Sequence, residues 1–126
     1  MSKVYIQKEV VDHRNMVNST GAALVQYELT VINELTLIAD EAIASTARGS
    51  FHAEDGLLIQ IDATNDGVTG ELTFGTANAD VFWKAATGEF SDTSTSGYKK
   101  IGVVNTVKNS NGIVLVNLQL HAETVA

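Results

Sequence analysis

The sequence predicts a small, single-domain all-β protein, a β-sandwich or barrel-like domain over residues 21–126 preceded by an extended N-terminal arm over residues 1–20. Three observations carry that expectation. The chain has 126 residues, a length that suits one domain with one modest core. Apolar side chains recur at every second position through several segments, the period of a strand with one buried face. Turn-forming pairs such as Asp55-Gly56 and Asn111-Gly112 separate those segments, and proline is absent, so Gly, Asn, Asp and Ser must make the turns.

The elements follow in order. The first twenty residues are polar and irregular, with Val10-Val11 and Met16-Val17 as isolated apolar pairs, a composition that suits a segment ordered against a partner. Val25, Tyr27, Leu29 and Val31 alternate with Gln26, Glu28 and Thr30 and read as the clearest half-buried strand. Residues 33–44 fit two readings. Ile32, Leu35, Ala39, Ala42 and Ile43 fit a helical stripe with Asn33 as its N-cap, but a strand over 34–39 is favoured.

Farther along, Ala47, Gly49, Phe51 and Ala53 form one alternating row and Leu57, Ile59 and Ile61 another; Asp55-Gly56 between them predicts a hairpin over about 46–62. Leu72 and Phe74 alternate with Glu71 and Thr73, and Val81 and Trp83 with Phe82 and Lys84. Ser91–Gly97 has the composition of an exposed loop. A closing hairpin is predicted to join about 99–107 to 113–120 through Asn111-Gly112, with Val114, Val116, Leu118 and Leu120 on its apolar face.

Composition excludes several classes of function. Fifteen acidic against eight basic side chains give a formal charge of −7, which opposes binding to nucleic-acid phosphate. With no cysteine there is no disulfide, thiolate metal site or thiol nucleophile. The N-terminus turns charged before any long apolar run, and no later run approaches ~20 residues, so neither a signal segment nor a membrane span is expected. Asn18-Ser19-Thr20 matches the glycosylation acceptor pattern and is read as coincidental.

Candidate chemistry is sparse. Asp62, Thr64, Asp66 and Gly67 resemble the opening of a calcium loop, but its twelfth position is Thr73 rather than a bidentate Glu, and its flanks read as strands. His13, His52 and His121 have no i,i+4 partner, so a metal site would need tertiary convergence. His52 stands close to Glu54 and Asp55, where a catalytic pair competes with a solvated strand end as the reading. No nucleophile elbow, phosphate-cradling loop or dinucleotide fingerprint occurs. The chain is read as non-enzymatic, without cofactor or metal. Phe82, Trp83 and Phe90 offer either a carbohydrate-stacking platform or core, with core favoured.

Several short motifs together resemble the decoration, or cement, proteins of tailed-phage capsids. They are Ile6-Gln7 near the start, the strand-like Ala23–Val31, Ile38-Ala39-Asp40-Glu41 and Gly49-Ser50-Phe51. The most distinctive are Val81-Phe82-Trp83 with the turn Thr87-Gly88, then Ile101-Gly102-Val103 and the valine-rich Ile113–Leu118. The chain departs from the pattern at two places where that family usually has Gly-Asp: it carries Gln26-Tyr27-Glu28 before the first long strand and Asn78-Ala79-Asp80 before the aromatic one.

The resemblance implies a compact, tulip-like β domain, commonly homotrimeric, on the capsid exterior of a virion assembled in the host cytoplasm. Its partner would be the major capsid protein, whose neighbouring subunits it would clamp, with no role for nucleic acid or membrane. Val4, Tyr5, Ile6 and Gln7 are the residues assigned to capsid contact, since Val4, Tyr5 and Ile6 are apolar and have no evident place in the alternating core; a first strand of the domain is the competing reading. Two other classes stay open. A carbohydrate-binding or fibre-tip module would expose Trp83 or Phe90, and a small hydrolase would place His52 against a carboxylate in a pocket.

Overall fold

The computed structural model of the chain describes residues 3–10, 12–62 and 74–125. Among them are ten strands and no helix: β1 Tyr5–Ile6, β2 His13–Val17, β3 Leu29–Ile32, β4 Leu35–Ala39, β5 Arg48–His52, β6 Leu58–Asp62, β7 Asp80–Lys84, β8 Glu89–Ser91, β9 Lys99–Thr106 and β10 Ile113–Thr124. All strand pairings are antiparallel and join into one sheet, ordered β2-β5-β4-β10-β9-β7-β8, with β3 on β4, β6 on β10 and β1 on β6. Among the described residues the sheet does not close into a barrel.

Two strands hold this sheet together by dividing an edge between partners. One edge of β10 takes β9, while the other takes β6 through Ile113–Asn117 and then β4 through His121 opposite Leu35. In the same way β4 pairs with β3 along its length, and also with β10 at Leu35 and with β5 at Ile38 and Ala39. The interior is correspondingly double. Leu29, Ile38, Ile59, Val81, Trp83, Ile101 and Val116 belong to one apolar cluster, and Leu24, Ile32, Leu37, Ala39, Ile43 and Phe51 to the other.

The division explains β4. Thr36, Leu37, Ile38 and Ala39 are all buried, because Ile38 faces the first cluster while Leu37 and Ala39 face the second. A strand covered on both faces loses the alternating pattern, which is why its residues fit a helical stripe equally well in sequence. The favoured strand forms over Leu35–Ala39, one residue short of the expected 34–39, and Asn33 makes a turn rather than a cap. Asn33 and Glu34 both have positive φ, at 52° and 63°, in the two-residue connection between Ile32 and Leu35, the backbone of a type I′ hairpin.

Other expectations change. The row from Val25 to Val31 is a strand only from Leu29, because Tyr27 turns the chain with φ of 68°. Asp55-Gly56 is a turn but not a hairpin: β5 pairs with β2 and β4, and β6 with β1 and β10. The turn docks on β10 instead, Gly56 N–H donating to the Leu118 carbonyl at 2.8 Å and Asp55 Oδ1 accepting from Leu120 N–H at 2.9 Å. The closing hairpin β9–β10 forms, with a loop organised by Asn109, whose Oδ1 accepts from the N–H groups of Asn111 and Ile113. The expected strand around Leu72 and the calcium-like loop after Asp62 lie outside the described residues, apart from Phe74, which is buried.

Within the expected arm over residues 1–20, residues 3–10 and 12–20 are described and carry strands of the sheet. β1 pairs with β6 and β2 with β5, and Val4 is fully buried in the first cluster. Their polar composition concealed this because β2 borrows its pairing from β5 and contributes only Met16 to the second cluster.

Asn18 closes this segment. Fully buried, it donates through Nδ2 to the carbonyls of Ala22, Ile43 and Ala44 at 2.8, 3.2 and 3.3 Å, while Oδ1 accepts from the Thr20 N–H and hydroxyl. A side chain so engaged is no acceptor for glycosylation in the folded protein. Asn18→Asp keeps the shape but turns a carboxylate toward those carbonyls, and urea denaturation is expected to show a loss of about 3 kcal/mol or more. A loss under about 1 kcal/mol would mean that this amide does not organise the segment.

Gly102 answers a different need, since a Cβ there would press on the backbone carbonyl of Asn117 in β10. Gly102→Ala is therefore expected to cost about 1–3 kcal/mol in the same measurement. An unchanged midpoint would show that β9 and β10 can separate there without loss.

Candidate functional site

The four residues assigned to partner contact divide by position on β1. Val4 points into the core, and its N–H donates to the Tyr27 carbonyl at 3.0 Å. Tyr5, opposite Gln60, is 56% exposed, Ile6 is partly buried against the first cluster, and Gln7 is exposed. Tyr5, Ile6 and Tyr27 line a hollow of about 260 Å³. Val4 thus belongs to the scaffold, and Tyr27 joins the surface group.

Tyr27 is held there at a cost. A bulky residue in the left-handed region is strained by about 1–2 kcal/mol. The backbone is nevertheless fixed, because Tyr27 N–H donates to the Ala39 carbonyl at 2.7 Å and Ala39 N–H donates to that of Glu28 at 2.9 Å. Tyr27 is 38% exposed and shares a hollow with Tyr5. Asn78 also has positive φ, at 67°, so both stretches where the chain departs from the resembled Gly-Asp pattern contain a residue in left-handed backbone.

The aromatic platform is absent: Phe82, Trp83 and Phe90 are all buried. Trp83 stands opposite Phe90 in the β7–β8 hairpin, whose loop ends on Gly88 with φ of 72°. A hollow of about 380 Å³ beside Trp83, Glu28 and Thr87 reaches little of the indole, which is 4% exposed.

A second constellation is assembled by strand register. His13 stands opposite His52 in the β2–β5 pair, and His52 opposite Ile38 in the β5–β4 pair, two residues before Asp40. Their side chains meet: His13 Nε2 is 3.0 Å from His52 Nδ1, and His52 Nε2 is 3.1 Å from Asp40 Oδ1. Asp40 Oδ2 accepts from the Ser50 hydroxyl at 3.4 Å. The carboxylate only accepts, so a proton on His52 belongs on Nε2, which leaves Nδ1 to accept from His13 Nε2–H. The Asp40 contact is nonetheless badly aligned, since His52 Nε2 is buried and has no hydrogen bond of acceptable angle. It is better described as electrostatic attraction across 3.1 Å than as a formed hydrogen bond.

The carboxylates close to His52 in sequence are occupied elsewhere, Glu54 with Lys8 at 3.3 Å and Asp55 with Leu120 N–H. His121 lies on β10, opposite Leu35. The His13–His52 pairing was missed because β2 has almost no apolar alternation from which its register on β5 could be read. Nucleophilic catalysis is poorly served by this group. Ser50 donates to Asp40 and not to an imidazole, so it lacks the base that would activate it.

Burial holds the pKa of His52 below its ordinary value of 6.5; Asp40 opposes the shift and His13 adds to it. The folded state therefore binds less proton than the unfolded chain across the interval beneath 6.5. The stability due to a neutral His52 is complete above that value and is lost as pH falls through the folded pKa. Thermal midpoints recorded from pH 7.5 to 5 are expected to decline, and His52→Gln is expected to flatten part of the decline; an identical slope in the variant would remove His52 as its source.

No family model, curated protein or solved structure matches the chain.

Proposed function

We propose that this chain is a structural, non-catalytic virion protein. Made in the host cytoplasm, it binds the outer surface of a tailed-phage capsid as a homotrimer and clamps neighbouring major capsid protein subunits. The observation that carries the reading is the exposed pair Tyr5 and Tyr27, which line one hollow with Ile6; Tyr5 lies on β1 next to the buried Val4, and Tyr27 lies in a turn where its carbonyl accepts from Val4 N–H. Aromatic side chains on a rigid support are the residues that dominate protein interfaces, because they bury large area at little entropic cost. A strained backbone that presents one of them is a feature of binding surfaces more than of scaffolds.

The sequence resemblance gives the partner class. Its motifs fall on adjacent strands: Val81-Phe82-Trp83 on β7, Ile101-Gly102-Val103 on β9 and Ile113–Leu118 on β10. Clamping needs no chemistry. A protein that binds the assembled shell and not dispersed subunits stabilises the shell by mass action at every occupied site. The net charge of −7 keeps such a protein clear of nucleic acid.

The test is co-sedimentation with expanded, empty tailed-phage capsids. Saturable binding is expected from the unaltered chain. In a variant carrying Tyr5→Ala and Tyr27→Asn, affinity is expected to fall at least about tenfold with the β-sheet circular dichroism unchanged, since Asn tolerates the left-handed backbone at 27. Undiminished binding by the variant would remove the tyrosines from the interface, and no binding by either chain would remove the decoration role for those capsids.

A further inference from the structure

We propose that His13 and His52 form a binding site for a divalent transition metal of the zinc type, with His13 Nε2 and His52 Nδ1 as ligands and Asp40 as the carboxylate that positions His52.

The two nitrogens are already 3.0 Å apart, and the imidazole planes are inclined at 54°. Two nitrogens bound to one Zn²⁺ at tetrahedral angle lie roughly 3.4 Å apart, given Zn–N bonds of about 2.0–2.1 Å. An opening of a few tenths of an ångström, with the proton between the rings displaced, admits the ion. The backbone sets the spacing, because His13 and His52 are direct partners across antiparallel strands.

Asp40 completes the design from the other side of the ring. It meets Nε2, whose direction diverges from that of Nδ1, so it orients His52 rather than sharing the ion with His13. A metal-bound histidine that gives its remaining N–H to a carboxylate is the common outer arrangement of zinc sites. The carboxylate is itself held, by the Ser50 hydroxyl on Oδ2 and by Asp40 N–H donating to the Ser50 carbonyl at 3.0 Å. His52 is more than nine-tenths buried, and its Nε2 faces Asp40 without an aligned hydrogen bond. A positive ion on Nδ1 polarises that N–H and strengthens its attraction to Asp40.

His13 is exposed on β2, the terminal strand of the sheet order, so water completes the coordination from the solvent side. Imidazole ligands favour zinc, nickel and copper over calcium and magnesium, which require oxygen. The inference is independent of the capsid reading, because none of these residues belongs to the tyrosine surface.

The test is calorimetric titration of the untagged, chelator-treated full chain with Zn²⁺ alone. Uptake of one ion per chain is expected, with no uptake of Ca²⁺ or Mg²⁺. His13→Ala alters an exposed side chain and is expected to abolish uptake while the circular dichroism is unchanged. His121→Ala is expected to leave uptake intact. Asp40→Asn is expected to weaken affinity by about 10–100-fold with the site still present. Absence of Zn²⁺ uptake by the unaltered chain, or uptake that survives His13→Ala, would overturn the proposal.

Discussion

The strand β4 must satisfy two faces and two edges at once, and the arrangement of the rest follows from how it does so. Its faces are buried by different sets of residues, Ile38 in one cluster and Leu37 with Ala39 in the other. Its edges are taken by β3 on one side and by β10 and β5 in succession on the other. A strand buried on both sides cannot leave a backbone group unpaired without a desolvation cost of about 1–3 kcal/mol. Where β10 turns away after Leu35, β5 takes up the edge at Ile38.

The same register places both candidate surfaces. Because β5 meets β4 at Ile38 and Ala39, His52 falls beside Asp40, and the next strand, β2, then brings His13 to the far side of His52. On the opposite edge the carbonyl of Ala39 holds the N–H of Tyr27, so the turn that exposes this ring hangs from the residue before Asp40. Neither surface is an appendage. Both are fixed by hydrogen bonds of one five-residue strand, and a shift of its register by one position would exchange the two faces and dismantle both.

What could be read in the sequence depended on how local the determining interactions are. The β9–β10 hairpin was legible because its partners are near neighbours and its turn ends on Gly112 at positive φ, whereas of the β7–β8 hairpin only the turn at Thr87-Gly88 was singled out. The connection at Asp55-Gly56 gives the same local signal, yet its strands part, because β6 gains five register partners on β10. β4 was ambiguous for the reason already given. At the N-terminus, Val4, Tyr5 and Ile6 are apolar in succession, and only the pairing with β6 decides that the first enters the core while the second remains outside. The histidine pair was illegible in principle: His13 and His52 are brought together by a strand, His13-Arg14-Asn15-Met16-Val17, whose register is set by backbone bonds rather than by pattern.

The position of β10 has a consequence for how the molecule comes into being. This twelve-residue strand joins β4, β6 and β9, and it follows all three in the chain. During synthesis the earlier strands emerge with their central edges vacant, and loop closure between segments so far apart in sequence is slow. Local hairpins such as β3–β4 can form early, but β4, β6 and β9 gain the strand they share only when β10 has left the ribosome. Until β10 has paired, the edges of β4 and β6 that it covers are open to other chains.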